Sequence, residues 1–444
     1  MADAWRNWAG DQACRPVDLV RPRGRDELAE EVAAASALGR TVSVAGSGHS
    51  FTETALTDGT MVDLGALSGV IDADPSTGLV KVAGGTVLAD LNEALHGLSL
   101  AMENLGDIDR QTIAGAISTG THGTGAKLRN ISAQVEGLEL VLADGSVREL
   151  SGVGDSAGDA GQQGGGEAEL LRAARIGIGA LGAITAVTLR CVPAFTLHRV
   201  DTPRPRDEVL ASFDELAEAN DHFELFTFPY ADSALVLERN RTDKPARPRG
   251  RAAAYLNDIV LENWALEAIS AAGKYLPRGI PRLARFAAWL ASGSKVTDRS
   301  DRIFANERRV RFTEMEYGVP REHGPEAARR VIEWVRANRY PVFFPIEMRV
   351  TAGDDALLSA AHERDTAYIA VHQYRGMEWR PYFEAVEEIM NGYGGRPHWG
   401  KRHFQTAETL APRYPCWAEF QAARDELDPG RTFSNEYATR VLGP

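Results

Sequence analysis

The sequence contains few cysteines and has fewer basic than acidic side chains. Its three cysteines, Cys14, Cys191 and Cys416, are too few and too scattered for a disulfide framework or a cysteine-ligated metal cluster. They fit a reducing compartment, so we expect a cytoplasmic protein. Lysine and arginine number 49, whereas aspartate and glutamate number 62, which gives a net charge of −13. No nucleic-acid partner is expected, because binding a phosphate backbone requires a basic surface.

Long apolar runs are also missing. The N-terminus, MADAWRNWAG, lacks the charged start and apolar core of a signal peptide. No run of about 18 uncharged apolar residues predicts a membrane span. Residues 252–294 are rich in Ala, Leu and Trp and include Arg278, Arg282 and Arg285. A basic amphipathic helix of this kind can contact a lipid surface, but we favour a helix that packs on its own domain.

The 444 residues are too many for one ordinary core, so two domains are expected from the length. Short strand-like runs and helical patterns alternate along the chain. We predict strands at 40–45, 60–64, 79–83, 138–143, 184–192 and 341–345, and helices at 25–34, 87–95, 324–338 and 381–390. The Gly-rich segment 152–167 is expected to be a flexible surface loop. Pro193 ends a strand-like run and marks the first domain boundary.

Two Gly-rich segments each contain hydroxyl side chains and one histidine. The first, residues 45–51 (AGSGHSF), follows a predicted strand, and its glycines allow backbone N–H groups to form an anion-binding nest. A phosphate site needs no imidazole, so His49 is unusual there, and a histidine that caps a turn is the alternative. The second, Gly115–Gly125, alternates small residues with hydroxyls. This pattern favours a close approach to a pyrophosphate or ribityl chain over a structural turn.

A third segment, Gly177–Gly182, matches the G-x-G-x-x-G fingerprint of nicotinamide dinucleotide binding. That fingerprint is meaningful only after a strand and at the start of a helix. Here a helical pattern precedes the glycines and a strand-like run follows them, so the order is reversed. We therefore interpret the segment as a second close approach to the same ligand.

Charged residues in the C-terminal half suggest a substrate pocket. Strand alternation places Glu347 and Arg349 on one face, opposite Ile346 and Met348. An exposed ion pair is the usual explanation, but such a pair facing a pocket would bind a polyhydroxy compound. Residues 396–403 (RPHWGKRH) combine two histidines, a tryptophan and basic side chains, at a spacing that suits no zinc site.

Four of these blocks, taken together and in order, resemble one family. They are Gly46–His49, Thr119–Gly125, Glu347–Arg349 and His398–Lys401. The sequence resembles FAD flavoproteins of the vanillyl-alcohol-oxidase type, in the sugar-1,4-lactone oxidase branch, which contains gulonolactone, arabinonolactone and alditol oxidases. The resemblance covers nearly the whole chain.

The resemblance implies an α+β fold built from three parts of the chain. These are a two-subdomain FAD-binding domain of the PCMH type (1–193), an α+β cap domain with an antiparallel sheet (194–408), and a C-terminal return to the FAD domain (409–444). It also implies FAD as the cofactor, bonded covalently through His49.

The resemblance further implies roles for individual residues. Contacts to the cofactor are expected from Gly46, Ser47, Gly48, His49, Ser50, Gly106, Ser118, Thr119, Gly120, Thr121, His122, Gly123, Gly125, Ile184 and Lys401. Catalytic roles are expected for Glu347, Arg349, Lys401 and His372. Substrate contacts are expected from Asp107, Glu347, Arg349 and His398. No metal ion is expected.

The implied activity is oxidation of a gulono-, galactono- or arabinono-1,4-lactone at a carbinol carbon, with hydride transfer to flavin. Lys401 is expected to act as the base, provided that Arg349 and burial depress its pKa. Asp107 stands where alditol oxidases carry serine, which favours a lactone over a polyol. Gly106 stands where they carry alanine. Because glycine has no Cβ, it leaves the smallest obstruction to oxygen approaching the flavin, so we expect oxygen as acceptor and hydrogen peroxide as product. An alditol oxidase, a lactone dehydrogenase and a flavin-free sugar-binding protein are the alternatives.

Overall fold

The computed structural model describes residues 4–152, 164–247, 274–290, 293–305 and 310–444. Most of the predicted Gly-rich loop (153–163) and much of the predicted amphipathic segment (252–273) lie outside this range. The end of the predicted loop is helical from Gly164 onward, so the loop is shorter than expected. Within the described residues, no helix is long and apolar enough to cross a membrane.

The N-terminal part of the chain contains a parallel three-stranded sheet and an antiparallel five-stranded sheet. Their spatial orders are β3-β5-β4 and β10-β9-β11-β7-β6, and two small antiparallel pairs, β1-β2 and β12-β8, accompany them. The strands are β1 (Trp5–Arg6), β2 (Ala13–Cys14), β3 (Asp18–Val20), β4 (Val42–Ala45), β5 (Thr60–Asp63), β6 (Val70–Asp74), β7 (Leu79–Ala83), β8 (Leu100–Ala101), β9 (Val135–Val141), β10 (Val147–Ser151), β11 (Ala183–Arg190) and β12 (Val192–Pro193). The helices are α1 (Arg25–Ala37), α2 (Leu88–Gly97), α3 (Ile113–Ser118) and α4 (Gly164–Ala174).

The remainder of the chain is organised around an eight-stranded antiparallel sheet. Its spatial order is β16-β13-β15-β14-β18-β19-β17-β20. The strands are β13 (Thr196–Pro205), β14 (His222–Thr227), β15 (Ser233–Thr242), β16 (Ser294–Arg299), β17 (Phe312–Pro320), β18 (Ile346–Thr351), β19 (Thr366–Tyr374) and β20 (Arg396–Pro397). The helices are α5 (Arg206–Ala211), α6 (Phe213–Ala219), α7 (Ile280–Leu290), α8 (Ser300–Phe304), α9 (Gly324–Ala337), α10 (Arg380–Asn391), α11 (Ala407–Leu410), α12 (Trp417–Leu427) and α13 (Glu436–Leu442).

The two faces of the large sheet have different chemistry. Because side chains alternate along a strand, β17 points Met315 and Tyr317 to one face and its two glutamates to the other. The apolar face joins a core in which α9 and α10 also bury side chains. On α9 these buried positions, such as Ala327, Val331 and Val335, recur at helical spacing. The helices thus cover one face, and the opposite, charged face remains available for a site.

The structure agrees with the predicted α+β class, but one predicted strand is wrong. Residues 341–345 form no strand. Pro341 and Pro345 cannot donate hydrogen bonds to a ladder, and Val342, Phe343 and Phe344 are buried in three different apolar clusters. Strand β12 ends at Pro193 and β13 begins at Thr196, but the division of the chain into domains stays a prediction.

Candidate active site

A cleft with about 1020 Å³ of space, partly open to solvent, lies between the Gly-rich segments of the N-terminal part. Its wall includes residues from the loop after β4, from the end of α3 and from the turn before β11. Among them are these residues predicted to contact a cofactor: Gly46, Ser47, Gly48, His49, Ser50, Ser118, Thr119 and Ile184.

The loop after β4 has the properties of an anion-binding nest. Gly48 has a φ of +69°, which side chains disfavour. A Cβ atom on Gly46 would lie 2.4 Å from Thr112 Oγ1, so only glycine fits there. Among the described residues, the backbone N–H groups of residues 47–50 find no protein acceptor. Adjacent free donors of this kind suit a phosphate or pyrophosphate, so the loop fits the diphosphate of FAD.

His49 is held in its neutral form. Its ring stacks on that of Trp8 with a centroid distance of 5.4 Å and an interplanar angle of 24°. Burial, assisted by the nearby charge of Arg110, lowers the pKa of His49 to about 4. The imidazole is therefore uncharged at neutral pH and keeps a lone pair, which bonding to an electrophilic carbon requires.

The segment Gly177–Gly182 also contributes to the cleft. It connects α4 to β11, so a helix precedes the glycines and a strand follows them, as the sequence indicated. Ile178 and Gly179 both adopt positive φ and line the cleft. This connection gives the ligand a second close approach of backbone and is unrelated to a nicotinamide fingerprint.

A second cavity, with about 610 Å³ of space, adjoins the cleft and is rich in charge. The two share His49, Ser50, Gln111 and Thr119 in their walls. The second cavity unites predicted residues from distant parts of the sequence, namely Gly106, Asp107, Thr121, His122, Glu347, Arg349, His398 and Lys401. A neutral, glycine-lined cleft therefore leads directly into a charged cavity.

Arg349 is the centre of one buried charge network. It lies on β18 directly opposite Glu224 of β14, and its Nε and Nη2 atoms donate to Glu224 Oε1 at 3.1 and 3.0 Å. It also pairs with Glu347 and lies 3.3 Å from Asp107 Oδ2. Arg239 contacts the other oxygen of Glu224 at 2.8 Å. Burial alone would raise the pKa of Glu224, but the two arginines outweigh it and lower that pKa to about 2.

Lys401 is the centre of a second network. Its Nζ lies 2.6 Å from Glu314 Oε1 and 2.7 Å from Glu316 Oε2. Burial would lower the pKa of Lys401, but the two carboxylates outweigh it and raise this pKa above its usual range. Lys401 is thus a fixed ammonium, and the prediction that it acts as a base with a depressed pKa is wrong. The sequence pointed only to Arg349 as its neighbour, whereas carboxylates dominate its surroundings.

Two histidines complete the wall next to Lys401. His122 Nε2 lies 3.3 Å from Glu316 Oε2, and the His122 ring stacks on Tyr368 with a centroid distance of 3.6 Å. His398 Nδ1 accepts a hydrogen bond of 3.0 Å from the backbone N–H of Gly400. Burial and the charge of Lys401 lower the pKa of His398 to about 3, so this imidazole is neutral.

Four residues predicted at the site lie elsewhere. His372 lines neither cavity, and its Nε2 lies 3.3 Å from Glu314 Oε1. Gly120, Gly123 and Gly125 also lie outside both described cavity walls. A Cβ on Gly123 would lie 2.1 Å from Asn104 Oδ1, so packing of the protein against itself already requires this glycine.

Sequence reasoning missed three buried glutamates, Glu224, Glu314 and Glu316, which hold the cations of the site. The sequence carried a usable signal for them. In 312–317 (FTEMEY) and 223–225 (FEL), charged residues alternate with apolar ones as they do around Glu347. This alternation predicts a strand with one apolar and one charged face.

Comparisons with known proteins agree with this arrangement. A family model described as D-arabinono-1,4-lactone oxidase matches residues 187–441, and one described as FAD binding domain matches residues 16–151. An L-gulono-1,4-lactone dehydrogenase of Mycobacterium tuberculosis is 49% identical over 444 residues, with 100% of both chains covered. An L-gulonolactone oxidase of Bos taurus is 33% identical, covering 99% of this chain and 98% of the relative. An alditol oxidase of a Streptomyces species is 31% identical and covers 100% of both chains.

Solved structures give the same fold. A solvent-stable cholesterol oxidase superposes with a TM-score of 0.83 at 20% identity, covering 99% of this chain and 97% of its own. The predicted FAD-binding fold with a large antiparallel sheet is thereby confirmed. The chain belongs to the D-arabinono-1,4-lactone oxidase family, in the sugar-lactone branch of the vanillyl-alcohol-oxidase type, and is an FAD-dependent oxidoreductase acting on CH–OH groups.

Proposed function

We propose that this protein oxidises a sugar-derived 1,4-lactone of the gulono-, galactono- or arabinono- type, with FAD bonded covalently to His49. The observation that carries the proposal is the junction of the two cavities. His49 lines both the glycine-rich cleft and the charged cavity, so a flavin attached there would have its ring at the junction. A substrate in the charged cavity would then lie against that ring.

FAD, when bound, supplies the acceptor for the C–H hydrogen and its electron pair. The residues of the chain bind the substrate and stabilise charge. Arg349 and Lys401 are buried, permanent cations, so they stabilise the negative charge that develops on the carbinol oxygen. Asp107 and Glu347, on the same cavity wall, carry carboxylate oxygens that accept hydrogen bonds from substrate hydroxyls. The hydroxyl proton requires an acceptor other than Lys401.

Two observations favour a lactone substrate. The Mycobacterium tuberculosis and Bos taurus relatives are both named for L-gulonolactone, and the family model is named for D-arabinono-1,4-lactone. Asp107, which replaces the serine of alditol oxidases, lies in the cavity wall 3.3 Å from Arg349. Oxidation of an alditol is the second candidate, because the alditol oxidase relative covers the whole chain.

We also propose oxygen as the electron acceptor, because Gly106 leaves little side-chain obstruction in the cavity wall. The relatives include both a dehydrogenase and oxidases, so the acceptor is tested separately from the substrate. A cytoplasmic location stays a prediction.

Anaerobic reduction of the flavin by a panel of aldonolactones and alditols tests the substrate proposal. Rapid bleaching by at least one 1,4-lactone is expected, with alditols slower. Bleaching by alditols alone would assign the second candidate instead. The covalent bond is tested by acid precipitation, after which wild-type protein should stay yellow and His49→Ala should be colourless. A colourless wild-type pellet would exclude the covalent link without affecting the substrate proposal.

A further inference from the structure

Strands β1 and β2 form an antiparallel hairpin that packs against the loop of His49. The turn of this hairpin is stabilised by Asn7, whose Oδ1 accepts hydrogen bonds from the backbone N–H groups of residues 10–12 at 2.9, 3.1 and 3.0 Å. Asn7 is buried, so these bonds are shielded from water. The N-terminal hairpin, residues 5–14, is therefore an ordered element that can position its neighbours.

Three donors of the N-terminal hairpin hold carbonyl oxygens of the loop. They are the Trp8 N–H to the Gly48 oxygen at 2.7 Å, Asn7 Nδ2 to the Ser50 oxygen at 3.0 Å, and Gln12 Nε2 to the Phe51 oxygen at 3.1 Å. The backbone on both sides of His49 is thus fixed by the hairpin. The N–H groups of residues 47–50 have no acceptor among the described residues and stay available to a ligand.

The ring of His49 is oriented by Trp8. A histidine ring is commonly held by a hydrogen bond to one of its nitrogens, but among the described residues no such bond holds His49. Its ring stacks instead on Trp8, and Trp8 in turn makes an edge contact with Phe312 of β17 at a centroid distance of 5.7 Å. Trp8 lines neither cavity, so it can affect a bound cofactor only through His49.

We propose that Trp8 is a positioning residue for the covalent attachment of FAD, and that Asn7 and Gln12 support it by fixing the backbone of the loop. This rests on the covalent bond of the proposed function and extends it to how that bond forms. An imidazole nitrogen of His49 donates its lone pair to the methyl carbon of the flavin ring, so a C–N bond forms as a C–H bond breaks. The methyl proton and the imidazole N–H proton are released, and the electron pair of the C–H bond stays on the flavin. Oxygen, the acceptor proposed above, takes up both electrons and two protons as hydrogen peroxide.

The rate of covalent incorporation of FAD into flavin-free protein tests this assignment. FAD is added, samples are denatured in acid at intervals, and the flavin that stays on the chain is measured by fluorescence. Trp8→Leu should form the bond about 10-fold or more slowly than wild type, because a misplaced reacting group loses rate steeply. Trp8→Tyr should retain part of the rate, since a smaller aromatic face remains. In the His49→Ala background, Trp8→Leu should leave the Kd for FAD unchanged, because Trp8 lies outside the cleft wall.

Trp334→Leu is a matched control for Trp8→Leu. Trp334 is also half-buried and stacks on Tyr382 at a centroid distance of 6.0 Å, but it lines neither cavity. It should incorporate FAD at the wild-type rate, and the assignment is wrong if Trp8→Leu does the same. Should Trp8→Leu fail to fold, Trp8→Tyr and Gln12→Met decide the question, since wild-type rates in both would overturn the proposal.

A second measurement requires no flavin. In NMR spectra of the flavin-free protein, the ring protons of His49, assigned with His49→Ala, should lie upfield because of the ring current of Trp8. This shift should disappear in Trp8→Leu, and its absence in wild type would overturn the inference. A colourless wild-type pellet after acid overturns the covalent bond itself, whereas a yellow wild type together with fast bonding in Trp8→Leu overturns only the role of Trp8.

Discussion

Replacing Glu224 by glutamine should destabilise the protein by about 3 kcal/mol. Two buried arginines, Arg349 and Arg239, share this one carboxylate, and together they lower its pKa from 4.5 to about 2. This lowering of the pKa corresponds to roughly 3 kcal/mol, at 1.36 kcal/mol per pH unit. This agrees with the cost of about 3–5 kcal/mol for removing one partner of a buried ion pair.

The pH dependence of this effect has a defined sign. Because the folded-state pKa of Glu224 is depressed, its contribution is fully present above about pH 4.5 and is lost as the pH falls toward about 2. Urea unfolding of wild type and Glu224→Gln, followed by tryptophan fluorescence, should therefore show the largest difference near pH 7. The difference should shrink as the pH is lowered below about 4.5.

Glu238→Gln is the matched control for Glu224→Gln. Glu238 lies on the neighbouring strand β15 and pairs with Arg204 at 3.0 Å, but both side chains are partly exposed. Its loss should cost no more than about 1 kcal/mol, as for other solvent-screened pairs. Equal destabilisation by the two substitutions, or a difference that does not depend on pH, would refute the reasoning about the Glu224 network.

Three further changes probe the cavity itself. Lys401→Met should slow anaerobic flavin reduction about 10²-fold because a fixed cation is lost, whereas Lys401→Arg should retain part of the rate. Equal rates for Lys401→Met and wild type would show that Lys401 takes no part in the mechanism. Asp107→Ser should raise the KM for lactones relative to the KM for alditols. An unchanged ratio of these two KM values in steady-state assays would contradict the role of Asp107 in specificity. Gly106→Val should slow reoxidation by air in stopped-flow while leaving reduction nearly intact. A Cβ atom on residue 106 would lie 3.2 Å from Thr121 Cγ2. The control is therefore Gly106→Ala combined with Thr121→Ser, because serine lacks that methyl group. Slow wild-type reoxidation together with fast turnover of an artificial acceptor would instead indicate a dehydrogenase.

The sequence predicted those parts of the site that depend on local pattern. The loop around His49 and the strand that carries Glu347 and Arg349 follow from glycine content and from alternation over a few residues. The protonation of Lys401 could not be predicted in this way, because it depends on Glu314 and Glu316, which are distant in sequence and approach only in the folded sheet.

The glycines of the second motif illustrate a different limit. In Gly115–Gly125 each glycine is equally consistent with contact to a ligand and with close packing of the protein. Gly115 lines the cleft, whereas Gly123 and Gly125 are crowded by Asn104 and by the backbone of Asp221. Only tertiary neighbours distinguish these two reasons for the same residue type.

The position of the charged groups on a regular sheet has a consequence for how substrate preference can diverge. Glu314, Glu316, Glu347 and Arg349 alternate with core residues such as Met315 and Met348, so shifting any one of them along its strand would turn apolar side chains into the cavity. New preferences are therefore more accessible through the connecting segments, such as the one that carries Asp107, whose length and composition can vary without repacking the core. Libraries aimed at a new polyol or lactone should randomise those segments and keep the strands constant.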